Sequence, residues 1–112
     1  IKTKKNISNE SKVYVAKSFA AESKLDEILD LTKEITYQKS KWAEELLLLR
    51  AAAYLRKGDY KAASTELEKL VLNSEDLELS GLYWLWISQK KLDEDSKSKK
   101  TAGKILEFFP FT

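Results

Sequence analysis

The residues singled out for possible chemistry are paired carboxylates, a run of aromatic rings and a set of lysines, and the sequence holds no histidine and no cysteine. Zinc sites with Cys or His ligands, disulfides and His-based acid–base catalysis are therefore excluded. The adjacent acids Glu44-Glu45 and Glu75-Asp76 raise the question of glycoside hydrolysis. That reaction needs two carboxyls about 5–10 Å apart across a cleft. Neighbours on a helix diverge by roughly 100°, and both pairs fall near expected helix starts, where acids suit the helix dipole. They read as helix-start residues, and no catalytic residue, metal ligand or cofactor is expected. Tyr83, Trp84 and Trp86 suit stacking on sugar rings or gripping a peptide. Aromatics at helical spacing usually build a core, yet three such large rings cannot all point inward. Lys97, Lys99, Lys100 and Lys104 read as a solvated face, with attraction to an anionic polymer as the sharper alternative.

The elements that hold these residues follow from composition and periodicity. A chain of 112 residues with 43% hydrophobic content fits one domain with a core. Only 3 glycines and 1 proline argue against an all-β or loop-rich fold, so an all-α chain is expected. The net charge is +2, and residues 1–12 carry four lysines against Glu10. The remainder is therefore close to neutral, a balance that gives no electrostatic reason to expect nucleic acid. Residues 1–8 read as a loose basic leader. No apolar run approaches the roughly 18 residues of a membrane span. The chain lacks Met and starts at Ile1, which predicts a fragment or processed product, so a missing export signal carries little weight.

Ala43–Leu72 is the organising stretch: two antiparallel helices joined at Gly58-Asp59. Glycine accepts the left-handed conformation that ends a helix, and Asp59 can cap the next. Ala51, Ala52 and Ala53 let a neighbouring backbone approach. Before this hairpin, Val13, Ala16, Phe19 and Ala20 predict a first helix from Asn9. Ser23 is expected to cap a second, with Asp26 as a partial capping box and an end near Tyr37. Ser40 is expected to cap the third. A fifth helix, roughly Leu77 to Lys91, is apolar nearly all round and is expected to be sandwiched. A sixth runs from about Asp95 to Phe108, stopped by Pro110. A shift of about 35 residues carries Ala16 to Ala51 to Trp86, Phe19 to Tyr54 to Gln89 and Ile35 to Leu70 to Ile105. It also carries Ile28 to Ala63 to Ser98, and Leu25 to Tyr60 to Asp95. Gln89, Ser98 and Asp95 break the apolar pattern. Six helices in three hairpins, about 9–38, 41–73 and 76–109, describe the residues best. Such hairpins bury their apolar stripes by stacking.

With Ala51, Tyr54, Gly58-Asp59-Tyr60, Ala63 and Leu67 in place, the middle hairpin resembles a tetratricopeptide repeat. Arg50 replaces a usual Leu, Glu75 falls at the closing proline, and Asp93 stands where glycine is common. Gly81-Leu82-Tyr83-Trp84-Leu85 and Ile105–Thr112 are similar to a segment of soluble lytic murein transglycosylases. These bacterial exported enzymes carry a superhelical helical-repeat region before a lysozyme-like catalytic domain. The resemblance covers roughly residues 44–112 and implies an α-solenoid with a right-handed superhelix. Glu10-Ser11 and Glu22-Ser23 share the family's catalytic Glu-Ser dipeptide, but its Gly-Leu-Met-Gln segment is absent, so nothing catalytic carries over.

By analogy with tetratricopeptide grooves, Leu48, Ala52, Leu55 and Arg56, followed by Tyr83, Ile87 and Lys91, are expected to line a concave surface. An apolar floor with basic edges suits an extended or helical segment of another protein with acidic character. The expected function is a non-catalytic scaffold or protein-interaction module of a bacterial envelope or periplasmic protein. The alternative is a piece of the superhelical region of a murein transglycosylase, linked to peptidoglycan through another domain. Exposed terminal hairpins would also allow a homodimer.

Overall fold

The computed structural model describes residues 8–74 and 79–108. Six helices follow one another, α1 (Asn9–Ala21), α2 (Leu25–Thr32), α3 (Lys41–Arg56), α4 (Tyr60–Asn73), α5 (Leu79–Lys91) and α6 (Asp95–Leu106), and no strand occurs among the described residues. The expected stop at Pro110, the helix start at Leu77 and the pair Glu75-Asp76 lie outside them, as does the leader apart from Ser8.

Three turns punctuate the chain at equal intervals. Ser23, Gly58 and Asp93 take left-handed backbones, with φ of 58°, 84° and 59°. The residues that follow, Lys24, Asp59 and Glu94, share φ/ψ of −88/74, −89/75 and −92/74. In each turn the amide of the second residue donates to a carbonyl five residues back, Lys24 to Phe19, Asp59 to Tyr54 and Glu94 to Gln89, at 2.8, 2.9 and 2.9 Å. The left-handed residue's own amide donates to Ala20, Leu55 or Lys90 at 3.0, 3.0 and 3.1 Å. This pair of bonds satisfies helix-end carbonyls as a Schellman turn does. The register of 35 is thus written in the backbone. Ser23 is not the cap expected of it. It occupies the left-handed position, and Lys24 takes the N-cap of α2 without a side-chain hydrogen bond. Ser8, Ser40 and Asp59 do cap, accepting from the amides of Ser11, Ala43 and Ala62.

The second helix ends at Thr32, short of Tyr37. The Thr32 hydroxyl donates to the Ile28 carbonyl at 2.8 Å, a local bond that competes with helix continuation. Its carbonyl accepts from the buried Arg50 guanidinium and from the Ile35 amide. Beyond it, Ile35 and Tyr37 pack against the central core, and the Tyr37 hydroxyl donates to Glu44 Oε2 at 2.7 Å while lying 3.0 Å from the Asn73 carbonyl. These bonds anchor the segment between α2 and α3. The sixth helix likewise ends two residues short of Phe108.

Two apolar clusters join the hairpins. Val13, Ala16 and Leu46 lock α1 to α3, and Leu47, Ala51, Leu67, Leu70 and Leu85 lock α3, α4 and α5. Each helix packs on its sequence neighbours, and α1, α3 and α5 form a contiguous row. Among the described residues the even helices do not pack on one another, although Lys97 reaches from α6 to Glu68 of α4 at 3.6 Å. Among the described residues the helix packing between hairpins is therefore made by the odd helix of the later hairpin, with the Lys97–Glu68 pair reaching across beside it. The resulting shape measures 55 × 26 × 22 Å. Its radius of gyration of 15.0 Å exceeds the roughly 13 Å of a compact chain this long.

Candidate functional site

The groove residues fall on the row of odd helices, one repeat apart: Leu48 with Tyr83, Ala52 with Ile87, Arg56 with Lys91. Leu48, Ala52, Leu55 and Ile87 are half-buried, and Leu48 packs partly against the central core. Tyr83 is 50% exposed and stacks on Trp86 with ring centroids 6.0 Å apart. The two basic edges are engaged with the preceding turn. Arg56 donates to Ser23 Oγ at 2.9 Å and to the Ala20 carbonyl at 3.4 Å, and the Lys91 ammonium lies 6.0 Å from the Tyr60 ring. Both therefore brace one hairpin on the last as well as edging the row.

The fifth helix is not sandwiched on all sides. Leu82, Leu85, Ser88 and Gln89 are buried, while Trp84, Trp86 and Ile87 are half-buried and Tyr83 faces solvent. The helical period sorts an apolar stretch into one inward and one outward stripe.

The carboxylates are dispersed. Glu44 accepts from Tyr37 and from the Ser74 hydroxyl, whereas Glu45 turns to Lys17 at 3.3 Å. Neighbouring acids thus serve different helices and do not face a common cleft. Asp26 pairs with Lys57 across the first junction. Lys99, Lys100 and Lys104 are exposed on α6, and Lys97 sits between Glu68 and Glu94. These exposed pairs each contribute little to stability. Among the described residues no group of three or more Asp or Glu could hold a metal ion, and no helix is long and apolar enough to cross a membrane.

A cleft of about 320 Å³ lies between α5 and α6, lined by Trp86, Lys90, Asp95, Ser98, Lys99 and Ala102. The sequence carried its signal. One repeat earlier these positions are Ala51, Leu55, Tyr60, Ala63, Ser64 and Leu67, and two repeats earlier Ala16, Ala20, Leu25, Ile28, Leu29 and Thr32. None of those twelve is exposed, because the next odd helix lies over them. In the third hairpin Lys90, Asp95 and Lys99 are exposed in their place. The departures at Asp95 and Ser98 mark this face.

Comparison with known protein families, curated proteins and solved structures gives no match to this chain.

Proposed function

We propose that this chain is a non-catalytic scaffold: a tetratricopeptide-like α-solenoid of three hairpins with a right-handed superhelix, which receives a segment of another protein along its odd helices. The observation that carries this reading is the triplicated turn at Ser23, Gly58 and Asp93, with α1, α3 and α5 in one row. A repeated backbone presents side chains at regular intervals along a surface, which suits an elongated ligand better than a small one. Tyr83, half-buried Ile87 and Ala52 supply an apolar floor, with Arg56 and Lys91 at its edge. Acidic character in the bound segment follows from those two cations. The similarity of Gly81–Leu85 to murein transglycosylase repeats supports a place in the bacterial envelope.

Isothermal titration against Glu/Leu peptides patterned at helical and at extended spacing tests the groove. Tyr83→Ala and Ile87→Ala should each weaken binding about tenfold, equivalent to about 1.4 kcal/mol. Leu72→Ala, on an exposed position of α4, should bind as the native chain does. Equal affinity across all three variants would remove the groove from consideration.

A further inference from the structure

The described residues make the same junction twice, and among them half of it is left unfilled at α1 and at α5–α6. The receiving half is the α5–α6 cleft, whose counterparts in both earlier hairpins are covered. The incoming half is the stripe formed by Ser11, Tyr14, Val15 and Ser18 of α1 and its C-cap Glu22, all exposed. Their counterparts are Leu46, Leu49, Arg50 and Ala53 of α3 and its C-cap Lys57, of which Leu46, Arg50 and Ala53 are buried and Leu49 half-buried. On α5 the positions Gly81, Leu85 and Ser88 are buried in turn. Tyr14 at 60% and Val15 at 38% exposure are large apolar groups at positions that the other odd helices use for packing.

We infer that a second copy of the chain seats its α1 on the α5–α6 face of the first, in the register that α3 adopts on α1–α2. Shape and charge fit this occupant. In the first junction Leu46 packs with the small Ala16; in the intermolecular one the small Ser11 meets Trp86, so bulk changes sides. Tyr14, at the position of Leu49, comes to Trp86 and Ile105, the counterparts of Ala16 and Ile35 in the cluster Leu49 joins. Glu22, at the position of Lys57, comes to Ser96, the counterpart of Asp26, one turn before the exposed Lys99 and Lys100. The stripe on α1 contains no lysine to oppose Lys90 and Lys99. Because the two halves differ, the contact is heterologous and propagates as an open chain of copies.

The absence of cysteine makes the test clean. Arg50 reaches the Thr32 carbonyl in the first junction, which places Val15 of one copy beside Ala102 of the next. Val15→Cys/Ala102→Cys treated with a short bis-maleimide should give a ladder of dimers, trimers and higher species. Within one chain α1 touches neither α5 nor α6, so the reagent has no internal route. Val15→Cys/Leu72→Cys, which moves the second thiol to α4, should lose the ladder. Sedimentation without cross-linking should show mass rising with concentration. Ser11→Glu and Ala102→Glu should each weaken association at least tenfold, yet their equimolar mixture should form a 1:1 dimer through the faces left intact. Ser11→Glu completes a capping box with Ser8, so its effect is not one of unfolding. A chain that stays monomeric, a ladder equally strong in the control pair, or assembly that stops at a closed dimer would each overturn the inference. Persistent monomer would assign the cleft to a following segment or another protein.

Discussion

The second and third hairpins turn through nearly the same backbone and bury different chemistry. Around α3 and α4 the buried set includes Leu46, Leu47, Ala51, Ala53, Ala63, Leu67 and Leu70 with the small polar Ser64, crossed by an ion pair between Arg50 and Glu66 at 2.8 Å. Around α5 and α6 the buried set includes Ser88, Gln89, Ser98 and Thr101, and the Thr101 hydroxyl donates to Gln89 Oε1 at 2.7 Å. One repeat on from Arg50 and Glu66 stand Leu85 and Thr101. The turn and the helical register fix the backbone. The interior follows what lies outside it: the middle hairpin is covered from both sides, whereas among the described residues the last is covered from one.

Breaking the ion pair should have the largest effect on stability. Arg50 also holds the Thr32 carbonyl, so it ties α2, α3 and α4 together. Arg50→Ala would leave Glu66, whose side chain is 17% exposed, without its partner. The expected loss is about 3–5 kcal/mol, read from urea unfolding. Arg50→Leu with Glu66→Thr, which gives the second hairpin the third's residues, should recover most of that loss. A double variant no better than Arg50→Ala would mean the two interiors are not interchangeable, and the comparison would fail at its centre.

The turns allow a finer test. Gly58→Ala should cost about 1–2 kcal/mol, because a Cβ in the left-handed region meets the following carbonyl. Ser23→Gly and Asp93→Gly should each gain about 0.5 kcal/mol, the relief of that strain less the greater freedom of glycine in the unfolded chain. Opposite signs at equivalent positions would show that the three turns share one backbone requirement, met with differing success. Thermal unfolding of the three variants decides it.

How far the sequence could be read follows the range of the forces involved. Gly58, the caps at Ser40 and Asp59 and the spacing of about 35 residues are local or periodic, and all were legible. Ser23 was misread because serine favours N-caps, whereas the register of the turn assigns that role to Lys24. The early end of α2 depends on Arg50, eighteen residues away, and the path of the segment after it depends on Glu44 and Asn73. Neither partner is visible from periodicity. Among the candidate binding residues, placement on the odd helices was legible, but the turning of Arg56 and Lys91 toward Ser23 and Tyr60 was not. The α5–α6 cleft was present only as breaks in the repeat at Asp95 and Ser98. A charged residue at a core register marks an exposed face only once the other hairpins show what covers the equivalent face there.

The smallest expected effect extends the comparison to the first hairpin. Lys24 and Asp59 share one backbone conformation, yet only Asp59 accepts an amide, that of Ala62 at 3.2 Å. Lys24→Asp would place a carboxylate where the Glu27 amide, the counterpart of Ala62, points. The gain should be about 0.5 kcal/mol, at the low end of measured caps, because Asp26 and Glu27 already bring negative charge to that turn. The Lys24–Glu22 pair lost in exchange is exposed on both sides and contributes little. Asp59→Ala should lose about 1 kcal/mol by the same reasoning. If Asp59→Ala destabilises and Lys24→Asp gives nothing, the limit lies in α2 itself. Its eight residues end where Arg50 takes the Thr32 carbonyl, and a better start cannot lengthen a helix whose end is held from another hairpin.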